Sequence, residues 1–192
     1  MWGIIQENKK IYKRYKVNIY ISYLTHQDHL NQTTIKQIAY NYPTIKFVVG
    51  SIDLIETLLK CGVRSSIIYA LNSNKWYGLG AIKIKLERVT HDVPNHLCKF
   101  QIKDKKGIYI VDCNNVDDIK AKDYDLYLIE ANYKKEILEQ NELNNPDDVV
   151  YYERVKQTHL AYEDANSFLI QNMSKNSVYE YIHQSKLNFK GE

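Results

Sequence analysis

The chain is 192 residues long and 44% hydrophobic, which is enough for one domain with a sizeable buried core. Its formal net charge of +3 at pH 7 excludes a strongly basic nucleic-acid coat protein, although an anionic substrate is compatible with it. The three cysteines are far apart and form no C-x-x-C pair, so we expect neither a disulfide framework nor a thiolate zinc site. The sequence has no segment typical of a signal peptide or a membrane span, and it therefore predicts a cytoplasmic protein with no membrane partner.

The first part of the chain alternates predicted strands and helices. Residues 17–24 are rich in β-branched and aromatic side chains, which predicts a largely buried strand. A helix over 33–39, a strand over 45–49 and an amphipathic helix over 52–59 are predicted after it. This order is typical of crossover units packed on a sheet.

The middle of the chain is rich in predicted strands joined by short turns. Residues 81–89 alternate apolar side chains with lysine and glutamate, which is the period of a half-buried strand. Residues 103–106 are polar and predict a hairpin turn. Further strands are predicted over 67–71, 97–102, 107–111 and 124–130.

The last part of the chain is predicted to be helical. A helix is expected over 133–143, a loop over 144–148, and two more helices over 162–173 and 178–185. Helices in both halves of the chain and a strand-rich middle predict an α/β (α+β) fold. We expect a layered sandwich formed by a single domain over residues 1–192.

Several histidines and carboxylates lie just after predicted strands or just before a predicted helix. Imidazole and carboxylate groups are suitable zinc ligands, and a ligand set without thiolates is more typical of a catalytic site than of a structural one. Taken singly, each histidine is more often a hydrogen-bonded loop or core residue, so the prediction depends on their joint placement. The candidate metal ligands are His26, Asp28 and His29 after the strand at 17–24, His91 after the strand at 81–89, Asp112 at the end of the strand at 107–111, and His159 before the helix at 162–173.

The motifs around these residues resemble those of the metallo-β-lactamase superfamily. That family carries, in order, an H-x-H-x-D-H turn after a strand, a distant histidine, an aspartate that ends a later strand, and a last histidine before a C-terminal helix. The similar segments here are T-H-Q-D-H at 25–29, T-H-D-V-P-N at 90–95, I-Y-I-V-D at 108–112 and Q-T-H-L-A at 157–161. Residues 124–133 and 159–165 are also similar to segments of the small hydrolases of this superfamily found in phage and prophage genomes.

The resemblance implies a metallo-β-lactamase-like αββα sandwich that binds one or two Zn²⁺ ions, or Mn²⁺ in their place. Asp28 and Asp112 would be the catalytic carboxylates, because they would hold the metals that convert a water molecule into a hydroxide nucleophile. No serine or cysteine nucleophile is needed in such a scheme. Carried over position by position, the first metal would be bound by His26 and His91 and the second by Asp28, His29 and His159, with Asp112 bridging the two.

The sequence departs from the family pattern at the first metal. Aligned without a gap from Asp28 and His29, the first histidine of the family's turn falls on Leu24, which cannot bind zinc. A two-residue gap would instead make His26 the first histidine and leave the second one missing. The chain also has fewer residues before this turn than family members usually have, so we expect a fold truncated at the N-terminus. A homodimer could then pair the strand edge that the truncation exposes.

The resemblance implies a metal-dependent hydrolase of phosphodiester bonds, with a small anionic or nucleotide substrate, such as a cyclic nucleotide, or a nucleic acid. The alternative is a degenerate pseudoenzyme of the same fold that binds a nucleotide or a protein partner. Two further histidines have no counterpart in the family pattern: we expect His96 in a surface loop and His183 solvated in the terminal helix. Basic side chains that could meet phosphate oxygens, although solvated strand faces explain them as well, are Lys83, Lys85, Arg88, Lys99 and Lys103.

Overall fold

The computed structural model describes residues 21–28 and 30–190, and the chain divides into two compact units, 1–71 and 72–192. The prediction of one domain over residues 1–192 stays a prediction. None of the helices in the described ranges is both long and apolar enough to cross a membrane.

The first unit contains a three-stranded parallel sheet in the order β1-β2-β3. Its first helix begins after Asn31, whose side chain accepts a hydrogen bond from the backbone N–H of Thr34 at 2.9 Å and so caps the helix. The predicted order of strands and helices is confirmed here, while residues 17–20 of the first predicted strand lie outside the described residues. The elements are β1 (Ile21–Leu24), α1 (Gln32–Asn41), β2 (Lys46–Val49), α2 (Ile52–Lys60) and β3 (Ile68–Ala70).

The second unit is built on a six-stranded sheet in the order β4-β5-β6-β7-β8-β9. Strands β4 to β7 pair antiparallel, whereas β7, β8 and β9 pair parallel. The strands are β4 (Trp76–Leu79), β5 (Ile82–Val89), β6 (Asn95–Ile102), β7 (Lys105–Ile110), β8 (Leu126–Glu130) and β9 (Val178–Ile182). The helices are α3 (Lys135–Asn144), α4 (Val149–Thr158), α5 (Tyr162–Asn172) and α6 (Lys186–Lys190).

The pairing pattern gives β5, β7, β8 and β9 the same direction. Their carboxyl ends therefore meet at one edge of the sheet. Strand β6 runs the opposite way and begins at that edge with Asn95. The segments that leave these strands are far apart in sequence, and the sheet brings them together.

The core of the second unit lies between this sheet and α5. Ile108, Ile129 and Tyr127 are completely buried in one apolar cluster with Phe168 and Leu169 of α5. The Tyr127 hydroxyl donates to the carbonyl of Ala121 at 2.6 Å, so the buried polar group is satisfied. This packing fixes the sheet edge at which β7, β8 and β9 end.

The structure differs from the sequence-based expectations in three elements. Residues 178–182 form strand β9 rather than part of a helix, because Val178, Tyr179, Tyr181 and Ile182 are β-branched or aromatic and pair with β8. Helix α4 follows the loop at 144–148 directly and was not predicted, since its Val- and Tyr-rich sequence has a weak helical propensity. Strand β4 was not predicted either.

Gly107 offers a test of sheet packing in the second unit. It pairs with Phe100 across β6 and β7, and a Cβ added at position 107 would overlap the Phe100 ring. We expect Gly107→Ala to lower the free energy of unfolding by about 1 to 3 kcal/mol, because the ring must move in a packed sheet. Urea unfolding would measure this loss, and the same substitution in a Phe100→Leu background should cost clearly less. Equal losses in the two backgrounds would contradict the proposed overlap.

Candidate metal centre

Four strand ends and one helix start supply the side chains of a cluster at the carboxyl edge of the second sheet. Glu130 is the last residue of β8, and His183 directly follows β9. Asp112 lies two residues after β7, and His91 lies two residues after β5. His159 lies between α4 and α5. Because the four strands run the same way, their exits converge although 92 positions separate His91 from His183.

Asp112, Glu130, His159 and His183 converge on one point, since each offers a ligand atom within 4.8 Å of those of the other three. The Nδ1 atoms of His159 and His183 each lie 2.7 Å from Oε1 of Glu130. The same two nitrogens lie 3.2 Å and 3.4 Å, respectively, from Oδ1 of Asp112. Two imidazoles therefore face two carboxylate oxygens.

The two carboxylates of this cluster are removed from water. Glu130 is 0% exposed and Asp112 is 1% exposed. Burying a carboxylate is costly unless positive charge and hydrogen bonds compensate it. Burial lowers the pKa of His159, but its hydrogen bonds to Asp112 and Glu130 and their charges outweigh burial and raise that pKa to about 9. At neutral pH this imidazole thus carries a proton that a metal cation could replace.

Backbone groups hold Glu130 in place. Its Oε2 accepts hydrogen bonds from the N–H groups of Cys113 at 3.4 Å and Leu160 at 3.3 Å. One carboxylate oxygen is therefore tied to the chain, and the other faces the two imidazoles. Asn132 performs a similar task for His183, since its Nδ2 donates to the His183 carbonyl at 2.9 Å.

His91 approaches Asp112 with a ligand atom within 4.8 Å of one from that carboxylate. The Nε2 atom of His91 lies 3.0 Å from Oδ1 of Asp92. Arg154 of α4 donates to Oδ2 of Asp92 through Nε at 3.2 Å and Nη2 at 2.8 Å. Burial raises the pKa of Asp92, but the hydrogen bond from Arg154 and the nearby positive charge lower it overall. Asp92 thus stays ionised and orients His91.

The structure brings together three of the predicted site residues, His91, Asp112 and His159. His26 lies just after β1 in the first unit and is 1% exposed. Asp28 is an exposed residue of the same turn. His29 lies outside the described residues. The ligand roles of all six residues stay predictions.

Sequence reasoning missed two members of the cluster, Glu130 and His183. The expectation that His183 is solvated in a helix was wrong, because the preceding residues form strand β9 and deliver His183 to the sheet edge. The alternation of Tyr179 and Tyr181 with other residues was the available signal. Glu130 ends strand β8, but no local feature of the sequence shows that its carboxylate is buried.

Two other expectations also need correction. His96 is a buried strand residue, with Nε2 3.0 Å from the Ser73 hydroxyl, rather than a surface loop residue. Lys85 and Lys99 were candidates for binding phosphate, but each forms an ion pair with Glu87, at 2.7 Å and 2.6 Å respectively. Arg154 is linked to His91 through Asp92.

The donor set fits a divalent transition metal. Two imidazoles and two buried carboxylates are nitrogen and oxygen ligands that suit Zn²⁺ or Mn²⁺, and the set contains no thiolate. The negative charge of the carboxylates favours a cation at their meeting point.

No protein-family model matches the sequence, and no curated protein matches it significantly. Solved structures do match. The metallo-β-lactamase fold protein YhfI from Bacillus subtilis superposes with a TM-score of 0.68 and 11% identity, over 96% of this chain and 72% of that one. Zn²⁺-bound PqqB from Methylobacterium extorquens superposes with a TM-score of 0.61 and 12% sequence identity, over 88% of this chain and 64% of that one. The short form of human tRNase Z superposes with a TM-score of 0.61 and 13% sequence identity, over 93% of this chain and 78% of that one.

These similarities show the fold. The chain has the metallo-β-lactamase fold, and the predicted fold class is confirmed. At these sequence identities the neighbours' ligands and substrates are properties of those proteins alone. The chain spans slightly less than two thirds of the length of PqqB.

The pKa of His159 can be measured in protein from which a chelator has removed any metal. We expect the imidazole of His159 to titrate near pH 9 in an NMR titration, because Asp112 and Glu130 stabilise its protonated form. Glu130→Gln should lower this pKa, since it removes one negative partner. His96, whose pKa is lowered by burial and by Arg88, serves as an internal reference and should not respond. An unchanged His159 pKa in Glu130→Gln would show that the two groups do not interact.

Proposed function

We propose that this protein is a metal-dependent hydrolase that cleaves phosphodiester bonds. The observation that carries the proposal is the convergence of Asp112, Glu130, His159 and His183 within 4.8 Å at one sheet edge. Buried carboxylates and imidazoles in such proximity are the donors that a catalytic transition-metal site requires. The fold supports the proposal by analogy only, since one fold hosts many activities.

The proposed ligands in the second unit are the four converging residues and His91. Asp112 is within reach of His91 and of the imidazoles of His159 and His183, which is the position expected of a bridging carboxylate. His26, Asp28 and His29 remain predicted ligands from the sequence. When bound, a divalent cation supplies a hydroxide nucleophile near neutral pH and polarises the scissile phosphoryl group.

The chain's own groups have defined tasks in this proposal. Without metal, Glu130 holds the imidazoles of His159 and His183 by their Nδ1 atoms, while its Oε2 stays tied to the backbone. Asp92 and Arg154 orient His91. Burial of both carboxylates keeps water from screening their charge, which strengthens their attraction for a cation.

A phosphodiester is the proposed substrate class, with a cyclic nucleotide or a nucleic acid as the natural forms. The positive net charge of the chain supports an anionic substrate. One of the structural neighbours, tRNase Z, bears the name of a nuclease. The proposed location is the cytoplasm, and a phage origin remains a prediction from sequence segments.

The second candidate is a binding module that has lost part of its metal site. Leu24 favours it, because this residue is 1% exposed within the apolar core of the first unit and offers no ligand atom. Under the ungapped alignment the first metal would then lack a ligand. Metal content separates the two candidates, since an inactive protein without metal would favour the binding module.

Asp112→Ala tests the proposed hydrolase directly. We expect the variant to lose zinc and to hydrolyse bis(p-nitrophenyl) phosphate more than about 100-fold more slowly, since loss of an outer-shell group alone typically costs about 10- to 100-fold. Elemental analysis and a colorimetric assay measure the two effects. The matched control is Asp125→Ala, which removes a carboxylate that pairs with Lys105 beside the start of β8, away from the carboxyl edge.

Two results of this experiment would contradict the proposal. Wild-type protein that binds no zinc or manganese would exclude a metal-dependent enzyme. Equal metal content in the wild type and Asp112→Ala would remove Asp112 from the site.

The homodimer is a further proposal that rests on the sequence. Light scattering at micromolar concentration should give twice the chain mass of 22.7 kDa if two chains pair their strand edges. A strictly monomeric mass over this concentration range would rule the dimer out.

A further inference from the structure

Asp112 has an unusual backbone conformation. Its φ angle is +52°, in the left-handed region that residues with a side chain seldom adopt. Such a conformation is unfavourable and persists only where the surrounding structure enforces it. The question is therefore which group enforces it at Asp112.

The side chain of Asn95 meets the backbone on both sides of this turn. Its Nδ2 donates to the carbonyl of Val111 at 2.8 Å and to the carbonyl of Asp112 at 2.7 Å. Its Oδ1 accepts from the N–H of His96 at 2.8 Å, which fixes the orientation of the amide. Asn95 is 0% exposed, so water does not compete for these bonds.

Asn95 reaches Asp112 because β6 begins where β7 ends. The two strands are antiparallel neighbours, and Asn95 is the first residue of β6. It thus holds the two carbonyls of the turn from the adjacent strand. The Asp112 carboxylate, in turn, lies 3.2 Å from His159 Nδ1.

We infer that Asn95 is a positioning residue of the metal centre, which clamps the Val111 and Asp112 carbonyls and thereby aims the Asp112 carboxylate at the cluster. The inference rests on the proposed function, because it assigns Asp112 to a metal. Asn95 itself contributes no ligand atom. Outer-shell groups that orient ligands typically change metal affinity by about 10- to 100-fold.

Asn95→Asp is the sharpest substitution. It keeps the size of the side chain and the oxygen that accepts from the His96 N–H. In place of the Nδ2 group, which donates to the Val111 and Asp112 carbonyls, it puts a second oxygen that repels them. Asn95→Ser is a milder variant, because it removes the amide without setting an oxygen against the two carbonyls. We therefore expect the wild type to bind zinc most tightly, Asn95→Ser less tightly and Asn95→Asp least tightly.

The experiment measures zinc affinity in folded protein by competition with a chromophoric chelator, together with the absorption spectrum of the Co²⁺-substituted form. We expect the dissociation constant to rise about 10- to 100-fold in Asn95→Asp and less in Asn95→Ser, with a changed Co²⁺ spectrum. The matched control is Asn172→Ala, since Asn172 also donates to a backbone carbonyl, that of Phe168, at 2.9 Å. The carbonyl of Asn172 accepts a hydrogen bond from the N–H of Asp123, which lies before β8 and therefore away from the edge of the sheet that holds the metal centre.

The outcomes separate this inference from the proposed function. If wild type binds zinc and both Asn95 variants bind it equally well with the same Co²⁺ spectrum, the positioning role is overturned while the metal centre stands. If wild type binds no zinc, both fail. A fall in thermal stability with unchanged zinc affinity would make Asn95 a purely structural residue and would also overturn the inference. If Asn95→Asp does not fold, the comparison of Asn95→Ser with wild type decides.

Discussion

The burial of two carboxylates at one point is the constraint on which the second unit depends. Glu130 and Asp112 are removed from water, and each buried ion carries a desolvation penalty of several kcal/mol after relaxation. The imidazole of His159, whose pKa is raised to about 9 by Asp112 and Glu130, supplies compensating positive charge, and the imidazole of His183 lies at hydrogen-bonding distance from Glu130. Apolar packing in place of such a cluster is often equally stable or more stable, so the presence of the cluster in a core supports the proposed metal site.

The sheet makes this convergence possible. Strands β7, β8 and β9 are parallel and end at one edge, and each delivers one acidic or imidazole group there. The pairing register of β8 and β9 also places His183 at this edge. Ile182 pairs with Glu130, so His183 is the first residue past the pair, and a slip by one residue would turn its side chain to the other face. The apolar packing of Ile129 and Tyr127 against α5 maintains that register.

Local patterns in the sequence predicted the fold class, most strands, and three members of the cluster, because His91, Asp112 and His159 each lie at the border of an element. His183 could not be placed while residues 178–185 were assigned to a helix. The β-branched and aromatic residues of β9 were a signal for a strand, but β9 lies at the edge of the sheet and its first residues are exposed, so burial did not distinguish it from a surface helix. Glu130 was overlooked because nothing local shows that a strand-end carboxylate will be buried.

Backbone strain gives independent support for this location of the site. Asp112 and His183 both have positive φ angles, +52° and +58°, and both belong to the converging cluster. Each has its carbonyl held by a buried asparagine amide, Asn95 in the first case and Asn132 in the second. Strained residues persist where function requires a side chain in a position that the relaxed chain would not give it. Asp112 and His183 are thus clamped in the same way beside Glu130, and this shared arrangement supports the proposed role of the cluster.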